Sequence, residues 1–452
     1  MADAAPNGEG PAAEGRDAGA RDAGARDAGA RDAIAAGRIT APGRANRART
    51  GGLAGAGLIA GAADVDPTTI GVLVAVAVAS GTRMAWACLL VFPVLGVTQV
   101  IATRVGAATG TDLQTAAVRR HGRAWAGLLL VSVVAVNVFT IAADVDAGAS
   151  ALGSLLSVDS RWLVVLLALL LGGVLAASSF RALHTILVGL LAALAAAVAV
   201  LAALHPHWAT VAHDSLIPGF APGGGALVAL TALFGTAVTS YVYVWQTMDA
   251  SREGAGPRQL RRSQARAIGG AAVTAVLMWA FLVAGGPLHG RVSAAATGSA
   301  GVAARAFDRV VGSAAGDVFS AGLVVSSILA LLVLASTTAT VLGAELPWGG
   351  GSLRRIGTAP RVAAALGLAA VLGALLVALD VGAVPALVDA SIAGALGAPV
   401  SLVFLVRLAR DPAVMGGHVV PRWLAAADGA VVVLAVGLAV AYLAHGGGGL
   451  GG

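Results

Sequence analysis

The sequence predicts an all-α polytopic membrane protein with about eleven transmembrane helices. Of its 452 residues, 58% are hydrophobic and only 12% are charged, whereas an average soluble domain carries about 25% charged residues. Mostly apolar stretches long enough to cross about 30 Å of hydrocarbon recur eleven times after residue 50. These stretches do not alternate as barrel strands do. The composition therefore excludes a soluble enzyme and favours a helical bundle.

The chain divides into two segments of different composition. Residues 1–50 consist mostly of Ala, Gly, Arg and Asp, with a unit Arg-Asp-Ala-Gly-Ala that recurs from Arg16. Such a segment buries too little apolar surface to offset its ordering entropy, so we expect a disordered cytoplasmic tail. A tether to anionic lipids is the alternative, weakened because each Arg of the repeat is followed by Asp. Residues 51–452 form the predicted transmembrane domain, and no cleavable signal sequence is expected before it.

The distribution of basic residues predicts the orientation in the membrane. The predicted spans cover residues 53–80, 84–104, 124–152, 161–179, 182–204, 225–248, 266–288, 316–343, 361–379, 383–408 and 422–444. With a cytoplasmic N-terminus, 24 of the 29 basic residues, all of them Arg, lie inside. The positive-inside rule thus predicts a multi-pass protein of the bacterial plasma (inner) membrane with its C-terminus outside. The same distribution accounts for the net charge of +6 without a nucleic-acid partner.

The first span is interrupted by polar residues and a proline. Asp64, Asp66 and Pro67 are followed by Thr68 and Thr69. Proline lacks an N–H and disfavours helical geometry at the preceding residue, so the helix is expected to open and release carbonyls. Two carboxylates, two hydroxyls and free carbonyls favour an all-oxygen cation site. The alternative is a proline kink with an Asp capping the second half-helix, which accounts for only one of the two acids.

The third span carries ionisable residues at membrane depth. They are Asp144 and Asp146, with Asn137 two turns earlier. Residues two apart on a helix point about 200° away from each other, so the two acids are not expected to face one cavity. Asp144 is expected to face the bundle and Asp146 to lie nearer the outer mouth. A proton or ion relay and a structural hydrogen-bonded acid both remain open for them.

The sixth span contains Gly235, Thr236, Thr239 and Ser240 at its middle. Hydroxyl residues often bond back to their own helix, so this signal is weak alone. Its position gives it weight, because spans 1 and 6 each begin a five-helix half. Paired interruptions at matching places indicate the binding site of a transporter.

Motifs of other functional classes are missing from the sequence. The lone Cys88 excludes an internal disulfide and a cysteine metal cage. His205, His207 and His213 lie in an outer loop that could collect metal, although histidines in such loops are more often solvated. No P-loop, dinucleotide fingerprint, His-Glu-x-x-His or nucleophile elbow occurs. We therefore expect no enzyme and no bound cofactor.

Four short motifs carry a resemblance to a known family. They are Ala63-Asp64-Val65-Asp66-Pro67-Thr68-Thr69, Ala142-Ala143-Asp144-Val145, Phe234-Gly235-Thr236 through Trp245-Gln246, and Arg410-Asp411-Pro412-Ala413-Val414-Met415-Gly416. From about Gly52 to the last span, the chain resembles the Nramp (natural resistance-associated macrophage protein) family of divalent-metal transporters, more closely its divergent Nramp-like bacterial branch. The resemblance implies a LeuT-like inverted repeat of five plus five helices, with helices 1 and 6 broken around a metal ion.

The resemblance also implies the ligands of that ion. Asp66 matches the metal-binding Asp of the family's Asp-Pro-Gly-Asn motif, and Thr69 matches its Asn. Ala63 lies where a backbone carbonyl is expected, and a carbonyl near Thr236 completes the shell. Thr239 stands at the position of the family's Met. A Met sulfur is a soft ligand that favours manganese or iron, whereas a Thr hydroxyl is hard, so magnesium becomes a candidate cargo.

The candidate pathway for protons or ions consists of Asp64, Asp144, Asp146 and Tyr241. The resemblance implies Asp144, which matches the family's proton-linked Asp, whereas Asp64 and Asp146 are candidates as acids within the spans. Tyr241 stands at the family's His, and the Glu three residues after Asp144 is Ala147 here. These two departures leave an uncoupled carrier open beside a proton-coupled symporter.

The leading hypothesis is a secondary transporter that moves a divalent metal cation across the inner membrane by alternating access, with import expected. The cation is manganese, iron or magnesium, and protons are the candidate coupling ion. One alternative keeps the fold and carries a small organic solute with sodium or protons. Two carboxylates at the span 1 break argue against it, because they repel a solute carboxylate. The other alternative is a non-transporting membrane receptor.

Overall fold

The structure is a computed structural model that describes residues 64–177, 180–203, 207–220, 225–253, 255–292, 300–312, 314–345 and 383–445. Four sequence-based expectations therefore lie wholly or partly outside the described residues. They concern the tail 1–50, the first half of span 1 with Ala63, His205 of the outer loop, and span 9 at 361–379.

The described residues form helices and no strands. The first eight helices are α1 (Pro67–Ser80), α2 (Ala85–Thr109), α3 (Leu113–His121), α4 (Arg123–Leu156), α5 (Ser160–Ala177), α6 (Phe180–Ala203), α7 (Trp208–Leu216) and α8 (Gly225–Ala237). The others are α9 (Ser240–Glu253), α10 (Pro257–Gly285), α11 (Ala300–Val310), α12 (Ala315–Glu345), α13 (Ala383–Arg410), α14 (Pro412–Met415) and α15 (Arg422–Ala444). Short 3₁₀ turns lie at Gly286–Leu288 and Gly416–His418.

Most of the predicted spans correspond to helices of the structure. Seven helical stretches are long and apolar enough to cross a membrane, with α8 and α9 counted as one, and shorter apolar helices lie in α1, α5 and α6. Together they match every predicted span except 361–379. The prediction of an all-α polytopic membrane protein is confirmed.

The differences from the predicted boundaries lie in polar segments. Helix α10 begins at Pro257 rather than at 266, because an Arg-rich turn extends it beyond its apolar part. Helices α3, α7 and α11 were not predicted, since they are short and carry charged residues. Helix α3 is capped by Asp112, whose carboxylate accepts the backbone N–H of Thr115 at 2.9 Å.

Helix α1 lies at the centre of the bundle. Twelve of its 14 residues are buried, as expected for a helix that is apolar on all sides and surrounded by protein. It contacts α4, α8, α10, α12 and α13. The polar residues that precede this helix are therefore enclosed by several elements.

The close packing of α2 against α9 provides a first test of the fold. A Cβ built on Gly106 would lie 2.2 Å from the Thr247 carbonyl oxygen, whereas a Cβ on Gly96 of the same helix meets nothing within 4 Å. Gly106→Ala is expected to destabilise the protein by about 1–3 kcal/mol through overpacking. Gly96→Ala is the matched control and is expected to be neutral or slightly stabilising. Thermal melting of the two purified variants measures the difference, and equal melting temperatures would contradict the packing.

Candidate metal-binding site

The break in span 6 lies between α8 and α9, where Val238 and Thr239 leave the helical path. Close packing against α13 surrounds this break. A Cβ on Gly235 would lie 2.0 Å from the Ser391 carbonyl oxygen, so only glycine allows this approach. The predicted interruption of span 6 is present in the structure.

The start of α9 is fixed to α13 by a side-chain bond. The hydroxyls of Ser240 and Ser401 are 2.6 Å apart, and both residues are fully buried. The unwound turn is thus held on both sides by α13, which packs against Gly235 and bonds Ser240.

The polar residues before α1 form a second opened segment. Asp66 caps α1, because its Oδ1 accepts the backbone N–H of Thr69 at 2.6 Å, and Pro67 occupies the first turn. Side chains satisfy the carbonyls that precede the helix. The Thr69 hydroxyl donates to the Asp64 carbonyl at 2.7 Å, and the Ser326 hydroxyl of α12 donates to the Val65 carbonyl at 2.6 Å. The capping alternative is thus correct for Asp66 and leaves Asp64 unexplained.

The two opened segments meet through oxygen atoms. The hydroxyls of Thr69 and Thr236 are 2.5 Å apart, with Thr236 as donor because the Thr69 hydrogen goes to Asp64. The Thr239 hydroxyl donates to Asp64 Oδ1 at 3.3 Å, and the Tyr241 hydroxyl donates to Asp66 Oδ2 at 3.2 Å. The structure therefore brings together the residues predicted in spans 1 and 6.

Helix α4 joins this cluster through Asp144. Asp144 Oδ1 accepts the Thr68 backbone N–H at 3.1 Å and the Thr68 hydroxyl at 2.7 Å. The Ser327 hydroxyl of α12 donates to the Asp144 carbonyl at 2.8 Å. Asp146 is also buried, but among the described residues it has no hydrogen bond to α1. Asp144 faces the candidate site, and Asp146 does not share that contact.

Two carboxylate oxygens of the cluster have no hydrogen-bond partner among the described residues. They are Oδ2 of Asp64 and Oδ2 of Asp144, and both residues are fully buried. Within the part of the chain that the structure describes, no group of three or more His, Cys, Asp and Glu side chains could hold a metal. His207 and His213 of the outer loop therefore form no such metal-binding group with other described residues. A cation at the cluster must therefore take hydroxyls and carbonyls beside the carboxylates.

Two residues of the cluster, Ser326 and Ser327, were not predicted, and they hold α12 against α1 and α4. Thr68 was predicted as a hydroxyl of the span 1 break, but its bond to Asp144 was not. A serine pair in the middle of apolar span 8 is the signal that could have found the two serines, because hydroxyls at membrane depth often bond across helices.

Two interrupted helices whose breaks bring buried polar groups together inside an apolar bundle are typical of the binding site of a secondary transporter. The family model described as natural resistance-associated macrophage protein-like (Nramp) matches residues 57–445. The chain belongs to this family, and it is a divalent metal cation transporter, not an enzyme. A search of curated protein sequences found no match.

Solved structures share the fold at low sequence identity. A manganese transporter of Eremococcus coleocola in complex with an aromatic bis-isothiourea substituted compound is 17% identical, covers 90% of each chain and has a TM-score of 0.76. A Na⁺-coupled sialic acid symporter is 12% identical over 85% of this chain and 88% of that one, with a TM-score of 0.57. MhsT in complex with L-phenylalanine is 12% identical over 88% and 100%, with a TM-score of 0.59. The resemblance and the LeuT-like fold predicted from the sequence are confirmed.

Proposed function

We propose that the protein carries a hard divalent cation, magnesium or manganese, across the plasma membrane by alternating access. The cation binds between the breaks of spans 1 and 6 through oxygen ligands alone. The observation that carries this proposal is the direct contact of the Thr69 and Thr236 hydroxyls beside the buried carboxylates of Asp64 and Asp66.

The proposed ligands divide into charged and neutral groups. Asp66 supplies the main negative charge, while Thr69, Thr236 and Thr239 supply hydroxyl oxygens that keep lone pairs after their present bonds. The Ala63 carbonyl remains the fifth proposed ligand. Hard oxygen ligands suit magnesium, calcium and manganese, whereas no thioether is present to favour soft ions.

Uptake into proteoliposomes with a panel of divalent ions tests this function. We expect the purified protein to move at least one hard divalent ion into sealed vesicles. Absence of flux for every ion would contradict the proposal. Metal binding without flux would instead support the receptor alternative.

The alternative cargo raised by the sequence is a small organic solute, and the sialic acid symporter and MhsT share the fold. Membership of the Nramp family favours the metal cation instead. Asp64 and Asp66 also oppose the organic solute, since two carboxylates at the break repel a carboxylate of the solute. Thermal stabilisation by amino acids rather than by divalent metals would favour this candidate over the first.

We propose that the N-terminus is cytoplasmic, as the Arg distribution indicates. Two contacts support this topology. Arg120, between spans 2 and 3, forms an ion pair with Asp411, between spans 10 and 11, and both connections are predicted inside. The Thr82 hydroxyl, after span 1, donates to Asp214, after span 5, at 2.5 Å, and both connections are predicted outside.

We propose Asp144 as the acid that exchanges a proton with the site, because it is bonded to Thr68 next to the ligand Thr69. Metal import is then expected to acidify the vesicle interior in the wild type. Asp144→Asn should remove this acidification and lower metal uptake about tenfold. The factor is roughly the effect of weakening the two hydrogen bonds that the Asp144 carboxylate accepts from Thr68. A pH-sensitive dye trapped in the vesicles measures it.

Asp146→Asn is the matched control for this experiment, since it removes an acid two residues away that has no bond to α1. An equal loss in both variants would contradict the assignment to Asp144. No acidification in the wild type would make the carrier uncoupled, the alternative raised by Tyr241 and Ala147.

A further inference from the structure

A second cluster of buried polar groups lies near α2, which packs against both α9 and α15. Helix α15 turns large apolar side chains outward, with Val433 72% and Val440 59% exposed. Asp428 of the same helix is fully buried and continues the inward stripe of Val431 and Ala435. Both carboxylate oxygens of Asp428 lack a hydrogen-bond partner among the described residues. This acid belongs to none of the contacts of the central site.

The facing surfaces of α2 and α9 are polar at the same level. Gln246 Nε2 donates to the Thr103 hydroxyl at 2.8 Å, and that hydroxyl donates to the Gln99 carbonyl at 2.8 Å. Gln99 is fully buried, and neither its amide oxygen nor its amide nitrogen has a partner among the described residues. The amide oxygen of Gln246 is also buried and has no hydrogen-bond partner among the described residues.

Tyr243 links these surfaces to Asp428. It lies one helical turn before Gln246, and α2 and α9 run in parallel, which places it at the level of Gln99. Its side chain interacts electrostatically with both Asp428 and Asp64, and α15, which carries Asp428, packs against α2, which carries Gln99. Asp428 therefore belongs to the surroundings of Tyr243 and Gln99.

In the proposed topology, with the N-terminus in the cytoplasm, the cluster lies on the cytoplasmic side of the central site. Asp428 lies six residues after Arg422, the first residue of α15, or about 9 Å along the helix axis. Tyr243 and Gln246 follow the span 6 break toward the cytoplasmic end of α9. The unpaired oxygens thus lie between the central site and the inner surface.

An unpaired carboxylate in the interior is costly until a counter-charge and hydrogen-bond partners satisfy it. Here the unsatisfied atoms are mainly oxygens, namely two of Asp428 and one each of Gln99 and Gln246. Carboxylate and amide oxygens are the ligands of hard cations. We propose that Asp428, Gln99, Gln246 and Tyr243 form a second cation-binding site, which takes a hard cation on the cytoplasmic side of the central site.

Counting bound cations tests the second site on the full-length protein in detergent, by calorimetric titration with Mg²⁺ and, separately, with Na⁺. For the occupying ion we expect Asp428→Asn to bind one cation fewer than the wild type. Loss of one bound cation in the Mg²⁺ series identifies a divalent ion as the occupant of the second site, and loss of one in the Na⁺ series identifies a monovalent ion. An unchanged number of bound cations in Asp428→Asn, in both series, would overturn the proposal.

Asp66→Asn separates this site from the proposed function. It should remove the central cation and keep the second one, and the double variant should bind neither. If the central assignment alone is wrong, Asp66→Asn changes nothing while Asp428→Asn still removes one cation. Gln99→Leu keeps the acid and loses an oxygen, so it should weaken the second binding event about tenfold. If Asp428→Asn fails to fold, Gln99→Leu replaces it as the test variant. An unchanged affinity of Gln99→Leu for the second cation would then contradict the proposed site.

Discussion

Asp66→Asn is expected to lower metal uptake about 100-fold while the protein remains folded. The substitution removes the central negative charge, and loss of a buried charge partner costs about 3 kcal/mol, which corresponds to that factor. Asn keeps the side-chain oxygen that accepts the Thr69 N–H, and Asn caps helices as well as Asp does. Initial rates of uptake into proteoliposomes measure the effect.

Asp66→Ala distinguishes the charge of Asp66 from its capping role. Besides the loss of uptake, Ala removes the cap of α1, which should destabilise the protein by about 1 kcal/mol relative to Asn. Asp317→Asn, at an exposed position near the start of α12, is the control for removal of a carboxylate elsewhere. Uptake by Asp66→Asn at the wild-type rate would mean that Asp64, or no carboxylate at all, holds the metal.

The local breaks of the helices were predictable from the sequence because their causes are local. Pro67 has no N–H and opens the chain at Asp66 whatever surrounds it. Gly235 with three hydroxyl residues indicated the break in span 6. The structure agrees with both. It adds that residue 235 must be glycine, because α8 packs there directly against the Ser391 carbonyl of α13.

The contacts across the site were not predictable from local sequence patterns, since they join residues far apart in the chain. Thr69 and Thr236 are 167 positions apart, and Thr68 and Asp144 are 76 apart. Their meeting depends on how α1, α4 and α8 pack, which hydrophobic periodicity does not encode. The family resemblance implied that Thr69 and Thr236 lie around one ion, and it indicated Asp144, but not the bond of Asp144 to Thr68.

The burial of Asp428 could not be predicted from the sequence for a different reason. Span 11 was predicted at 422–444 and is a helix over that range, yet an acid near the end of an apolar span is usually solvated at the interface. Only the packing of α15 against α2, α8 and α13 places Asp428 in the interior. Composition gives the span, whereas the orientation of the helix about its axis decides which acid is buried.

Thr239→Met is expected to change which metal the protein prefers. The Thr239 hydroxyl lies within the cluster, donating to Asp64 Oδ1, so a thioether introduced there would replace a hard oxygen by soft sulfur. In the wild type, excess magnesium or calcium should compete strongly with manganese uptake. In Thr239→Met this competition should weaken about tenfold, which corresponds to about 1.4 kcal/mol. Uptake of manganese, iron or cadmium should gain, because a soft sulfur ligand favours these ions over magnesium and calcium.

Two further variants decide whether the Thr239 hydroxyl or only its bulk matters. Thr239→Val keeps the shape and removes the oxygen, so it should weaken uptake of every hard ion without creating a preference for soft ones. Thr231→Val is the matched control, because the Thr231 hydroxyl is buried in α8 and bonds back to the Leu227 carbonyl at 2.8 Å. If Thr239→Met and Thr239→Val both keep the wild-type order of selectivity, Thr239 serves packing against α13, and the neutral ligand of span 6 is Thr236.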